Sequence, residues 1–258
     1  MDVPAISVSA RRRLAPPYRP EPGAVSNLRF SVVEDLGTQI CAGELPAGTT
    51  LHMTELAVER GVSRSVMREA VGVLASLGLV ASRRRVGTVV QPMTEWELVN
   101  GDVIRWRLMS PDRARQIIEL SELRSAIEPA AASLAAQRVT DADRAELGEC
   151  LKLLLTASRD NDIPEFHRQD KRFHTMVLEM GHNSMFGALH RLVEGMLEAR
   201  YLQGLLPQRV DPQALEWHHR LGDAIIAGDE DAARESARLI VTLSAAEMLE
   251  MAQGSVTG

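Results

Sequence analysis

From Arg113 to Met251 apolar residues recur at helical spacing almost without interruption, which confines this half of the chain to packing helix on helix. The breaks are local: Thr140, Pro164, Gly181-His182-Asn183, the stretch from Pro207 to Pro212, and Gly228-Asp229. They predict helices over 113–137, 141–160, 163–181, 184–204, 211–228 and 229–251. No alternating strand pattern and no internal repeat falls among them, so the expectation is an all-α antiparallel bundle over 113–251, followed by a short tail, 252–258. Aromatic residues make up only 3% of the sequence, and an interior of Ala, Leu, Val and Met suits helix faces better than stacked sheets.

The first third of the chain has a different grammar. "SNLRFSVVEDLGTQICAG" places Leu28, Val32, Val33, Leu36 and Ile40 at helical spacing, with Ser26 as N-cap and Gly43 as the stop. "LPAGTTL" is a turn and a short extended piece. "MTELAVERG" is a short helix capped by Thr54 and ended by Gly61, and Ser63 caps the next helix, "RSVMREAVGVLASLG". Two short helices joined by a glycine-containing turn form a helix-turn-helix. "LVAS" and "TVVQ" flank "RRRVG" as a two-stranded wing. The fold class is therefore mainly α: an N-terminal winged helix-turn-helix over 26–92, a linker helix within 93–112 ("EWELVNGDVIRWRLMS"), and the C-terminal bundle. Four prolines between Pro16 and Pro22 make residues 1–25 a disordered arm.

Charge separates along the same line. Residues 1–92 hold 11 arginines and no lysine against 8 acids, whereas 93–258 hold 18 basic and 27 acidic residues. A basic small domain on an acidic larger one meets a polyanion through the first only. Neither a secretory signal nor a membrane-length apolar run is present, and Cys41 and Cys150 sit in apolar helical patterns as free thiols. A cytoplasmic protein is expected.

Six arginines and one acid lie between Arg60 and Arg85. Arg64 and Arg68 are four apart, hence on one face at the start of the second helix of the pair, where recognition helices meet base edges. Arginine there pairs in bidentate fashion with guanine O6 and N7. Ser63 and Ser65 are short hydroxyls beside the positive helix N-terminus, suited to phosphate. Arg83, Arg84 and Arg85 occupy the wing, and Gly87 lets the backbone approach a groove or phosphate closely. A solvated charge run is the alternative, but it would not coincide with a helix-turn-helix register and an adjacent wing. The partner is double-stranded DNA.

The pattern "VSRSVMREAV…LASLGLV…RRRVGTVV" resembles the GntR family of bacterial transcription regulators over residues 28–92. The resemblance implies Arg64 and Arg68 as major-groove readers and Gly87 as the wing tip. Thr54 stands where many members have an arginine that contacts DNA.

In the second domain, Asp170 and His174 lie four apart on one helical face in "DKRFHTMVLEMGHN", and "EWHHRLGDAIIAGD" brings further histidines. A carboxylate and imidazoles converging inside a bundle suit Zn²⁺, Ni²⁺ or Mn²⁺; the same spacing also serves a surface hydrogen-bonded pair. His167, His182 and His190 read as surface or structural, and His219 points away from His218. "ELRSAIEPAAASLAA", "DKRFHTMVLEMGHN" and "HHRLGDAIIAGDEDAA" make residues 115–250 resemble the FCD ligand-binding domain of the FadR-like GntR subfamily. That resemblance implies one divalent metal on Asp170, His174 and His218, with Ile240 in place of an expected fourth histidine. It implies that Arg124 pairs with an effector's carboxylate, the alternative being a salt bridge with Glu128 or Glu119. Asn183 and Arg200 are further effector-binding candidates. "GDVIRWRL" and the Trp217-His218 region look most like the branch of galactonate-operon repressors, which implies a sugar acid, an aldonate, as effector.

The expectation is a homodimeric transcription regulator, a repressor released from its operator by a small carboxylate. A metal-dependent enzyme in the bundle is a second reading, but no general base or nucleophile accompanies the metal candidates in a recognisable arrangement. An architectural DNA binder without a ligand is a third, and it calls for a filled bundle with no cavity.

Overall fold

The computed structural model describes residues 24–202, 210 and 212–254. The N-terminal arm as far as residue 23, residues 203–209 and 211, and residues 255–258 lie outside the described residues, as does the side chain of Arg200.

Helix α1 (Ala24–Cys41) begins two residues before Ser26, so Ser26 does not open it; neither Ala24 nor Val25 resists helix. It ends with Gly43 at φ 75°, the left-handed stop expected of that glycine. Strand β1 (Thr50–Leu51) leads into α2 (Met53–Glu59). His52, not Thr54, holds the N-cap position of α2 and makes no side-chain cap; Thr54 already lies in the first turn. Helix α3 (Arg64–Ser76) is capped by Ser63, whose Oγ accepts from Val66 N at 3.2 Å. Strands β2 (Val80–Arg83) and β3 (Gly87–Val90) form the wing, and β1 adds to it antiparallel in the order β1-β3-β2. Gly78 links α3 to β2 at φ 74°, and a Cβ there would stand 1.9 Å from the Glu95 carbonyl oxygen. Only glycine satisfies both conditions. The core beneath is Leu36, Met67, Ala70, Leu74 and Leu79.

The segment expected to be a linker helix is helical only over α4 (Gly101–Leu108), behind a single 3₁₀ turn at Met93–Glu95. Asn100 starts α4 by accepting from Asp102 N at 2.9 Å. This is no solvated connector. Val103 and Trp106 join the core of the winged unit, and Ile104 and Leu108 join a cluster of the helical half. Arg105 and Arg107 are buried as well. The Arg105 guanidinium donates to both carboxylate oxygens of Glu34 on α1, each at 2.5 Å, and Trp106 Nε1 donates to the same carboxylate at 3.1 Å. Burial alone would lower the pKa of Arg105. The hydrogen bonds and charge of Glu34, and then of Asp102, reverse this and hold it above the ordinary value.

The remainder is helical throughout the described residues: α5 (Arg113–Arg138), α6 (Asp141–Asp160), α7 (Ile163–Glu179), α8 (Ser184–Gly187), α9 (His190–Leu202), α10 (Pro212–Ala227) and α11 (Glu230–Gly254). Thr140 and Asp143 close a capping box on α6. The helix expected over 184–204 is broken. Asn183 caps the four-residue α8, the chain turns at Ala188-Leu189, and His190 Nδ1 meets the Gly187 carbonyl at 2.8 Å. The break frees α9 to reach α4. There the backbones touch: a Cβ on Gly195 would lie 2.6 Å from the Gly101 oxygen. The main core of the bundle runs from Leu147 and Leu154 through Phe173 to Leu221, Ile225 and Ile240.

Candidate functional site

Two places collect functional side chains. The first is a concave face of about 470 Å³ between α2, α3 and the wing, lined by Thr54, Arg64, Arg68, Ser82 and Thr88 among others. Val66, Met67, Ala70 and Leu74 turn inward from α3, which leaves Arg64 and Arg68 exposed on the outer side. Neither makes an ion pair or hydrogen bond among the described residues. Ser63 is spent on its cap, and Ser65 Oγ lies 3.5 Å from Glu69 Oε1. Arg83, Arg84 and Arg85 are exposed, with Arg85 at φ 66°. The wing turn consists of residues 84–86, so its tip is Arg84, Arg85 and Val86. Gly87, at φ 109°, stands one step beyond as the first residue of β3. Arg60, the remaining arginine of the basic run, is held in the fold by Asp35 at 2.7 Å.

The second place is a cavity of about 40 Å³ between α5, α7, α9, α10 and α11. Asp170 and His174 on α7 and His218 on α10 offer one ligand atom each, all within 4.8 Å of one another. His218 Nε2 is 2.8 Å and His174 Nε2 3.6 Å from Asp170 Oδ1. His218 Nδ1 lies 2.6 Å from the Ala214 carbonyl. That oxygen only accepts, so Nδ1 carries the proton and Nε2 faces the carboxylate with its lone pair unless a second proton is added. The close Nε2–Oδ1 contact therefore calls for a positive centre, a proton or a cation. Burial lowers the pKa of His174 to about 4, against the pull of Asp170 and Glu128. Its imidazole is neutral at pH 7 and fit to ligate. One carboxylate and two imidazoles, all buried and one of them fixed in its tautomer by the Ala214 carbonyl, fit a divalent transition metal. Such an ion would be held by Asp170, His174 and His218 and would supply a Lewis-acidic centre for an oxygen ligand. Ile240 also lines the cavity and offers no donor.

Arg124 reaches the same cavity, but its guanidinium is committed to Glu128: Nε pairs with Oε1 and Nη2 with Oε2 at 3.2 Å, both residues being buried. Nη1 touches Met196 Sδ on α9 at 3.1 Å. Glu128 Oε2 in turn lies 3.6 Å from His174 Nδ1. The pairing with Glu128, one of the two alternatives for Arg124, is thus the one formed, and it is buried rather than on a helix surface. Asn183 is not brought to the cavity; its side chain accepts from Met185 N at 3.0 Å as the α8 cap. Of the histidines read as surface or structural, His167 is buried against Tyr201 and Glu198, and His182 is exposed beside Asp143. The sequence reading missed five lining residues, Leu197, Ala214, Leu243, Ser244 and Glu247. The last two share a face of α11 with Ile240, at spacings of four and seven, which is the signal that would have found them.

Residues 28–90 match the bacterial regulatory proteins of the gntR family, and residues 119–242 match the FCD domain. The galactonate operon transcriptional repressor of Escherichia coli (strain K12) is 31% identical over 222 residues, covering 85% of this chain and 96% of its own. The putative L-lactate dehydrogenase operon regulatory protein of the same organism is 33% identical over 187 residues, 70% of each chain. Among solved structures, Lar, which controls expression of the Listeria monocytogenes agr system, superposes with a TM-score of 0.61 at 19% identity, covering 87% of this chain and 97% of its own. At that identity it speaks for the fold alone. With a winged helix-turn-helix, a helical second half and these relatives, the chain belongs to the GntR family of bacterial regulatory proteins, in the group that carries an FCD domain, and is a DNA-binding transcriptional regulator rather than an enzyme.

Proposed function

We propose that the chain is a homodimeric repressor whose winged unit, 26–92, binds an operator half-site, and whose helical unit, 113–251, binds a small carboxylate that releases it. The observation that carries this reading is the join: one buried helix, α4, sits in the core of the winged unit and in the cluster beside the cavity. Arg64 and Arg68 read bases and Arg83 to Arg85 hold the backbone, with two copies meeting a pseudo-palindrome. A sugar acid is the effector class favoured by similarity to the galactonate operon repressor. Its carboxylate needs a counter-charge. Arg124 is balanced by Glu128, and Asp170 adds a negative charge, so a divalent metal on Asp170, His174 and His218 supplies it.

The cavity as it stands admits about three waters, so a sugar acid enters only by parting its walls. Leu197 on α9 is one of those walls, and α9 bears directly on α4. Entry therefore pushes on the helix that holds the winged unit, which is the differential contact that release requires. The test is operator binding by fluorescence anisotropy in the presence of aldonates: release by at least one supports the reading, and binding of aldonates without any change in operator affinity overturns it.

Arg68→Ala is expected to weaken specific operator binding by about 1–3 kcal/mol, roughly 5- to 150-fold, while effector binding by calorimetry persists. Equal loss of both would show that the basic face is not where DNA is read.

A further inference from the structure

We infer that Gly72 is a notch on α3 through which a sugar–phosphate strand of the DNA settles into the concave face between α3 and the wing. This rests on the reading of Arg64 and Arg68 as the residues that meet bases. Arg64, Arg68, Gly72 and Ala75 follow one another at spacings of four, four and three, and all four are exposed. The stripe steps down from two of the longest side chains to none. Glycine is, after proline, the costliest residue for a helix interior. Gly72 sits within α3, and nothing inside the chain asks for it there. A Cβ at Gly72 would meet no atom within 4 Å, whereas one at Gly37 would strike the Trp106 ring at 2.7 Å. The missing side chain therefore leaves room for something outside the chain.

The position of Gly72 along the helix names that partner. A helix rises about 1.5 Å per residue, so Gly72 lies about 12 Å along α3 from Arg64 and about 6 Å from Arg68. The major groove is about 12 Å wide. A helix that enters it by its N-terminus, with its first turns on base edges, has reached the rim by Gly72, and the rim is the sugar–phosphate strand. On the far side of the concavity stand Val80 and Ser82 of β2 and Thr88 of β3. A strand that passes from the groove held by α3 towards the wing crosses Gly72 and Ala75. Close approach of a ligand to the helix backbone is a use that glycine alone allows. Contact with the DNA backbone fixes register and carries no sequence information. Gly72 therefore acts on every duplex alike and leaves discrimination to Arg64 and Arg68. Gly148 in α6 supplies the control: it too is a helix glycine whose Cβ would meet nothing within 4 Å, and it lies in the helical half.

The test is fluorescence anisotropy on the full chain with two duplexes of equal length, one selected by the parent chain from a random pool and one with that sequence scrambled, together with urea midpoints. Gly72→Leu is expected to weaken both duplexes by a similar factor, about 10-fold or more, so that their ratio is kept. Gly72→Ala should weaken both by less while raising the urea midpoint. Gly148→Leu should leave both affinities alone, and Arg68→Ala should lower the ratio instead. Unchanged affinity in both Gly72 variants, or a loss confined to the selected duplex, overturns the inference; a ratio still lowered by Arg68→Ala then leaves the base-reading face standing. A loss in Gly72→Leu that follows a fall in its urea midpoint and is absent from Gly72→Ala is a folding defect and overturns the inference too. A ratio that Arg68→Ala leaves unchanged overturns the reading of the face and this inference with it.

Discussion

Replacing Glu34 by alanine is expected to remove about 3–5 kcal/mol of folding stability, the cost of leaving a buried charge without its partner. The residue left behind is Arg105, buried in α4 and forked onto both oxygens of Glu34 at 2.5 Å. Asp102, at 2.9 Å but more than half exposed, cannot replace that fork. Trp106 Nε1 loses its acceptor in the same step. Urea denaturation measures the loss, and a loss below about 1 kcal/mol would show the pair to be solvated rather than locking. Glu34→Ala with Arg105→Met removes both charges and should recover most of the stability, because apolar replacement of a buried ion pair is often neutral or better. The double variant is therefore the one to assay. It should fold and bind operator yet respond less to effector, since the fork is what fixes α1 to the helix that adjoins the cavity wall. A full response in the double variant would place the coupling elsewhere, with Trp106 and its packing in the winged core the next element to alter.

The contrast between α3 and α4 shows what a sequence discloses. Around α3 every signal is local: Ser63 caps its own helix, Gly61 and Gly78 turn at positive φ, and the inward residues repeat at helical spacing. Asp170 and His174 were legible for the same reason, being one turn apart on one face. In α4, nothing in "RWR" itself marks Arg105 as buried, because the partner that buries it lies 71 residues away on α1. No periodicity within eight residues announces that. Likewise Glu128 is visible as a partner for Arg124 at four residues' spacing, but its approach to His174 exists only because α5 packs on α7. The break between α8 and α9 was hidden because the stretch from 184 onward keeps helical spacing across Ala188-Leu189; the turn is set by the place α9 must take against α4.

His218→Ala is the second large effect expected. It takes a three-donor set to two, so divalent affinity, measured by titration with Zn²⁺, Ni²⁺ and Mn²⁺ against a competing chelator, should fall at least about 100-fold, beyond the 10- to 100-fold typical for loss of an outer partner. Glu128→Gln provides that comparison, since Glu128 approaches His174 Nδ1 at 3.6 Å but is not one of the three residues that offer a ligand atom. It should fall within the smaller range. The ranking matters more than either value. With Ile240 offering no donor, each of the three ligands carries a larger share of the binding than it would in a four-ligand site, and the vacated volume of an imidazole cannot be refilled by the neighbouring Phe173 ring, which is already fully buried. Operator affinity without effector should be unaffected, because Arg64 and Arg68 belong to a face built on a separate core. Release by a carboxylate should disappear with the metal, since Arg124 remains neutralised by Glu128. If His218→Ala binds divalent ions as tightly as the parent chain, the cluster is a hydrogen-bonded triad and the counter-charge for an acid must come from elsewhere. If metal binding is lost but release persists, the acid is held without the ion.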